Sequence, residues 1–391
     1  MKKHQIFRLI GFSVAFAVIC LFIVNKVFPS SEDGLYPLFP PNSQVKNVVF
    51  LIGDGMGLAQ VAAARIKTVG ADGRLHIERM PIIGLVNTHS ANSLITDSAA
   101  GATALATGYK TNNGMVSVSP DGKKLYTILE ACRDRGMATG LVATSTITHA
   151  TPAAFAAHVR SRGDQSTIAL QLLENRVNVL LGGGKMFFLP QSQPGSKRKD
   201  ERDLIVEAKK IGYTFVETRE QLLKITNIKY LLGLFQVGAL TTTSPKEPSL
   251  AEMTQKAIEL LSQNRKGFFL MVEGSQIDWA CHANDPDNTI RQTVLFDEAV
   301  KAALDFALKD KRTLVVVTAD HECGGMAING GSLDGKNLNI GWTTKGHTGV
   351  PVPIYAFGPK AEQFTGLHDN TDIPRILARL LDIDNFPKMS E

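Results

Sequence analysis

The chain has 391 residues, of which 44% are hydrophobic and 20% charged, with a formal net charge of +5. That length can bury a large core, as one elaborated α/β domain or as two domains. The charge is modest, Lys2, Lys3 and Arg8 supply part of it, and there is no aromatic–basic stripe, so nucleic acid is not expected as a specific partner.

The first element in chain order is an apolar run, Leu9 to Val24, broken only by Gly11 and Ser13 and preceded by the basic flank. It is long for a signal-peptide core, slightly short for a spanning helix, and no small-x-small cleavage site follows it. Cys20 follows Ile19, where a lipidated cysteine would follow a small residue, so it is read as a lipid-facing or core residue. Residues 1–28 are therefore expected to be a signal-anchor, favoured over a cleaved signal peptide. The positive flank keeps that end cytoplasmic. The body would then be exported, on the periplasmic or extracellular face, and tethered by residues 9–24 if they stay uncleaved. Residues 29–44, with Pro29, Pro37, Pro40 and Pro41, follow as a spacer.

Beyond the spacer, strand and helix patterns alternate, which predicts a doubly wound, mostly parallel sheet. Strands are expected at 47–52, 139–144, 177–181, 268–272, 313–318 and 351–357. Helices are expected at 57–69, 97–107, 125–135, 166–174, 249–263, 290–308 and 372–382. Residues 185–248 carry several prolines and weaker periodicity, and read as a peripheral excursion from the sheet. Within them, the mixed-sign run 196–202 reads as a solvated loop and helix start.

Several of these strands end in chemistry. The run Val48 to Ile52 delivers Asp54 into Gly53-Asp54-Gly55-Met56-Gly57, and Phe268 to Val272 ends in Glu273. Thr313 to Thr318 leads to Asp320-His321, and Thr139 to Ile147 leads to His149 and Thr151. Ligands of such sheets gather at the carboxyl ends of the strands. Four ends bringing Asp, Glu, His and Thr together point to a metal site. A dinucleotide reading of the glycine turn fails twice, because its spacing is GxGxG and Asp54 would repel a pyrophosphate. Ser98 begins a helix of small residues, whose free N–H groups could stabilise an alkoxide or a phosphoryl oxygen. On its own, simple helix capping by Ser98 or Asp97 would explain the segment.

Taken together, these segments resemble the alkaline phosphatase family, in order from about residue 45 to about 380. Asp97-Ser98-Ala99-Ala100 resembles the nucleophile motif, and Thr151-Pro152-Ala153-Ala154 through His158 to Ser161-Arg162 resembles the segment of the phosphate-clamping arginine. Glu273 to Asp278 with His282, Thr318-Ala319-Asp320-His321 and Gly346-His347-Thr348-Gly349 resemble the remaining metal motifs. The resemblance implies a three-layer α/β/α sandwich over residues 45–385 and a homodimer acting on small phosphate monoesters. It assigns Ser98 as nucleophile and Arg162 as the two-point clamp, with Trp279 and His149 beside the substrate. Asp278, His282 and His347 would hold one zinc, and Asp54, Asp320 and His321, with Ser98 as a further ligand, a second. Asp54, Thr151 and Glu273 would hold a magnesium-like third ion through hard oxygens.

The chain departs from the best-known bacterial pattern at His149, where that pattern has Asp, and at Trp279, where it has Lys. Residues 322–346 replace a larger crown insertion with a short glycine-rich loop, so the site is expected to be open and unselective for the leaving group. Cys281 and Cys323 flank expected ligands, and a disulfide or two buried thiols are both open readings. Neither is expected to bind metal, since oxygen and imidazole donors already fill the set. His76, His89, His158 and His368 read as helix or loop histidines, and Trp342 as surface packing near the mouth. The alternatives are a phosphodiesterase of the same superfamily, which Arg162 argues against, and a catalytically silent metal-dependent binding protein.

Overall fold

The computed structural model describes residues 34–40 and 42–389. The expected anchor therefore lies outside the described residues, and among the described ones no helix is long and apolar enough to cross a membrane. The chain enters through β1 (Asn47–Gly53), buried at every position, then α1 (Leu58–Val69), β2 (Ile82–Asn87) and α2 (Ser98–Thr107). Next come α3 (Ile128–Asp134), β3 (Ala138–Thr146), α4 (Ala150–Ala156), α5 (Gln165–Glu174) and β4 (Val179–Gly183). The middle of the chain forms α6 (Leu204–Lys210), β5 (Thr214–Val216), α7 (Arg219–Lys224), β6 (Leu231–Leu234) and α8 (Leu250–Leu261). Then follow β7 (Phe268–Gly274), α9 (Gln276–Ala283), α10 (Pro286–Asp310) and β8 (Thr313–Thr318). The short strands β9 (Glu322–Cys323), β10 (Ala327–Gly330), β11 (Asn339–Gly341) and β12 (His347–Thr348) precede β13 (Val352–Phe357), β14 (Gly366–Asp369) and α11 (Asp372–Leu380).

Ten strands form one sheet in the order β14-β2-β13-β8-β1-β7-β3-β4-β6-β5. Strands β1, β3, β7 and β8 run parallel, and β13 is antiparallel to both β8 and β2. Central strands with no exposed position need cover on both faces. Helices α1, α8, α9 and α10 pack together in one layer, and α2, α3, α4 and α11 in the other. This is the three-layer α/β/α arrangement.

Two expectations need correcting. Residues 185–248 do not leave the sheet: they supply β5 and β6, which extend it beyond β4. Those strands are only three and four residues long, too short to show a period. Part of the expected spacer is also docked. Tyr36 N–H donates to Arg79 O at 2.8 Å, and the rings of Tyr36 and Phe39 lie 5.3 and 5.2 Å from that of Phe357. The expected crown substitute, 322–346, folds into β9, paired with β12, and the ribbon β10–β11.

Candidate metal centre and nucleophile

The parallel register of β1, β7 and β8 brings their ends level, since Ile52 pairs with both Glu273 and Thr318. Asp54, Glu273 and the Asp320-His321 pair thus emerge side by side, all buried. Helix α9 carries Asp278 across this edge so closely that a Cβ on Gly55, at φ +74°, would lie 2.8 Å from the Asp278 Cα. Gly101 gives α2 the same freedom, because a Cβ there would meet Asp320 O at 2.9 Å.

Asp278 is the centre of the first donor group. Its Oδ2 lies 3.3 Å from His282 Nε2 and its Oδ1 3.4 Å from His347 Nε2, while the two Nε2 atoms face each other at 3.1 Å. The other ring nitrogens are committed: His282 Nδ1 faces Lys345 O, and His347 Nδ1 faces Thr96 O at 2.8 Å. Carbonyls accept, so both Nδ1 atoms donate, and in the neutral rings both Nε2 atoms hold lone pairs toward the carboxylate. Such an array repels itself unless a cation joins it. Without a metal, protons serve: the hydrogen bond to Asp278 raises His282 to about 9. Burial works against His347, but Asp278 outweighs it and raises that ring too.

His321 anchors the second group. Its Nε2 lies 3.4 Å from Asp54 Oδ1, 3.3 Å from Asp320 Oδ2 and 3.3 Å from Ser98 Oγ, and its Nδ1 has no partner. Burial, then His347, push its pKa down to about 3, so the ring is neutral among three oxygens. The tight cluster here is Asp54, Asp278 and His321, with Asp320 joining through its contact to His321. Asp278 therefore faces both groups. Burial raises Asp54 well above its ordinary value, helped by Asp320 and Asp278, and raises Asp320 to about 6.

The third group contains Asp54, His149 and Glu273. Glu273 Oε2 accepts from Ser275 Oγ at 2.6 Å and Ser145 Oγ at 3.2 Å, while Oε1 is unpaired and burial raises the carboxyl to about 7. Thr151 Oγ1 is likewise buried without a hydrogen-bond partner. Unpaired buried oxygens are costly in a finished core. Here they recur on Asp54, Glu273, Asp278 and Asp320, and the donor chemistry of all three groups suits divalent metal ions.

Ser98 is the first residue of α2 and is 2% exposed. Its neighbour Asp97 caps the helix by accepting from Ala100 N at 3.0 Å, and accepts from Arg162 Nη1 at 3.0 Å. Burial alone would raise Asp97, but these bonds and one from the Gly114 amide lower it overall. Arg162 Nη2 donates to His149 Nε2 at 3.2 Å, which fixes the lone pair of that ring toward the guanidinium. Burial and Arg162 lower His149 to about 3, so the ring is neutral. Trp279, 37% exposed, packs edge-on to His149 with centroids 6.0 Å apart.

The structure thus gathers Ser98, Arg162, His149, Trp279, Asp54, Thr151, Glu273, Asp278, His282, Asp320, His321 and His347 at one edge of the sheet. It also adds Cys323, whose sulfur falls within the first donor group although it was not expected among the ligands. The signal missed in sequence is the pairing of Cys323 opposite His347 across β9 and β12. Cys132, Cys281 and Cys323 are all free and buried, so the thiol reading holds and the disulfide does not. Among the set-aside histidines, His158 pairs with Glu130 at 3.0 Å and His89 with Asp369 at 3.6 Å.

A family model described as alkaline phosphatase matches residues 45–338 and 332–383. The chain belongs to the alkaline phosphatase family. It is 38% identical to alkaline phosphatase 4 of Bacillus subtilis (strain 168), over 87% of this chain and 89% of that one. Its fold is similar to that of the alkaline phosphatase of the Antarctic bacterium TAB5, with a TM-score of 0.80, 33% identity, and coverage of 88% of this chain and 99% of that one. A His-to-Asp variant of the Antarctic protein, described with magnesium bound in its M3 site, matches with a TM-score of 0.79 and 34% identity over 88% and 99% of the two chains. The activity of this phosphatase is accordingly hydrolysis of phosphate monoesters.

Proposed function

We propose that this phosphatase works through a phosphoserine formed on Ser98, with zinc at the Asp278–His282–His347 and Asp54–Asp320–His321 groups and magnesium at Asp54–Thr151–Glu273. The observation that carries the reading is the set of unpaired buried carboxylate oxygens gathered beside His321, whose Nε2 faces the Ser98 hydroxyl. When bound, a metal pair of this kind lowers the pKa of a hydroxyl or water and neutralises charge building on the transferred phosphoryl group. The residues supply the rest. The Ser98 Oγ proton passes to solvent as Oγ attacks phosphorus, and the departing ester alkoxide takes a proton from solvent; water then cleaves the Oγ–P bond, its OH going to phosphorus and its proton to Ser98 Oγ, and phosphate is released. Neutral His321, 3.3 Å from Oγ, orients the nucleophile. Arg162, held by Asp97 and His149, offers its fork to two phosphoryl oxygens.

His149 qualifies the third site. The lone pair it gives Arg162 is unavailable to an ion, so magnesium there would rest on Asp54, Glu273 and Thr151. Magnesium in the M3 site of the His-to-Asp variant of the Antarctic protein supports magnesium as the third ion here. The short 322–346 segment supports an open site with little leaving-group selectivity. We extend the reading to a homodimer, exported and tethered through residues 9–24 where these are retained.

The test is hydrolysis of an aryl phosphate monoester beside the matching diester at alkaline pH, before and after chelation, with zinc and magnesium restored separately. Monoester turnover lost to chelator and restored by zinc is expected, with a further increment from magnesium. Dominant diester turnover would move the chain to the diesterase branch, and metal uptake without turnover would make it a silent binding protein.

A further inference from the structure

The first donor group holds one atom more than its expected function needs. Cys323 Sγ shares it with Asp278, His282 and His347, all four ligand atoms lying within 4.8 Å of one another. The placement follows from the fold. Cys323 and His347 are directly paired residues of the antiparallel β9–β12 bridge, and residues so paired project to the same side. The thiol is fully buried, and its one polar contact is a weak donation to Asp278 O at 3.7 Å. Asp278 Oδ1, in the same group and 5% exposed as a residue, has no hydrogen-bond partner.

We propose that Cys323 is a fourth protein ligand to the ion held by Asp278, His282 and His347. The inference rests on the metal reading given above. As the sulfur–metal bond forms, the thiol proton passes to solvent, with no change of oxidation state. A set of one carboxylate, two imidazoles and one thiolate is softer than the three-donor set alone, and so favours zinc over magnesium or manganese. The sulfur reaches the ion from the buried side, whereas the His282 side chain, 40% exposed, marks the side open to substrate. Zinc can expand to five ligands during reaction, which leaves that side for a reacting oxygen.

Cobalt(II) replaces zinc and reports its ligands by colour. Apo protein titrated with cobalt to three equivalents should develop a near-ultraviolet thiolate-to-cobalt charge-transfer band together with the visible ligand-field bands. The band should persist in Cys281→Ser and disappear in Cys323→Ser, while the visible bands remain. Cys323→Ser should also lose zinc to a chelator at least tenfold faster. Visible bands without a charge-transfer band in the unaltered protein would overturn the Cys323 assignment and leave the metal site standing. That outcome needs no variant to fold. Absence of any cobalt spectrum would overturn the metal reading and the assignment together. A charge-transfer band lost in Cys281→Ser and kept in Cys323→Ser would place the ligand on the wrong cysteine.

Discussion

Two buried polar clusters in this molecule have similar ingredients and opposite states. In the first, both oxygens of Glu130 have firm donors, Thr127 N at 2.9 Å and Asn175 Nδ2 at 3.1 Å, with His158 Nε2 facing at 3.0 Å and His158 Nδ1 facing Ser117 O at 2.8 Å. In the second, Asp54 leaves both oxygens unpaired, and Glu273, Asp278 and Asp320 leave one each. A satisfied network holds helices together; the second cluster holds every buried, unpaired carboxylate oxygen found among the described residues, and is made for something absent from the chain itself. The Glu130 network ties α3 to the segments behind α4 and α5. The Asp54 cluster lies at strand ends, where backbone geometry fixes donors without needing them to bond each other.

The sharpest way to break this contrast is to remove the serine beside the unsatisfied cluster. Ser98→Ala should lower kcat by a factor on the order of 10³–10⁶, as loss of a nucleophile does. Metal uptake and unfolding midpoint should hardly change, because the hydroxyl makes a single 3.3 Å contact. Turnover within tenfold of the unaltered enzyme would remove Ser98 from the chemistry. Glu130→Ala should do the reverse. Removing one member of a buried pair costs about 3–5 kcal/mol, readable as a lower urea midpoint in the metal-loaded protein. The kcat of the molecules that remain folded should be unchanged. A large fall in kcat at constant stability would show that the two clusters are not independent.

The clusters should also answer pH in opposite senses. Burial raises Glu130, but His158 and the Thr127 amide outweigh it and leave the carboxyl below its ordinary value. Its contribution is therefore present above the unfolded glutamate pKa and is lost as pH falls through the folded value. In the metal-free site, His282 is raised to about 9, and His347 is raised as well. Groups raised in this way stabilise fully below the unfolded value near 6.5 and lose that contribution as pH climbs toward 9. Below about 7 the raised Glu273 and Asp320 and the lowered His149 and His321 act against one another, so the alkaline side is the informative one. Chelated protein should lose stability between about pH 6.5 and 9, and zinc should abolish that loss. Denaturant midpoints with and without zinc measure it, and parallel curves would contradict the site as a cation holder.

Much of this was legible from sequence, for reasons that differ between elements. β1, β7 and β8 carry unbroken apolar runs, 48–52, 268–272 and 314–317, followed within three residues by Asp54, Glu273 and Asp320, and a strand buried on both faces leaves no other pattern. Ser98, Asp278 and His282 declare themselves by spacing and by the small residues around them. Other features depend on pairing that no local window contains. β5 and β6 are too short to carry a period, and β14 exposes Leu367 where a strand in a buried sheet would not. Cys323 reaches the His347 ring only through a two-residue bridge. His149 reads as an ion's neighbour in sequence, yet in the structure its lone pair faces Arg162.

The smallest effect concerns Trp279, which stands at the edge of the unsatisfied cluster without belonging to it. The residue is 37% exposed and its ring packs edge-on to His149, so it brings bulk beside the phosphate site but no charge. Trp279→Lys would place an ammonium near phosphate already faced by Arg162. A partly exposed charge pair contributes about 0.2–1 kcal/mol, so competitive inhibition by inorganic phosphate should tighten by roughly 1.4- to fivefold. Where phosphate release limits turnover, kcat should fall by a similar factor. Raising ionic strength should erase the difference, since the interaction is screened. Unchanged or weaker inhibition in Trp279→Lys would mean that the indole acts through packing against His149, and that charge at this position does not govern how fast phosphate leaves.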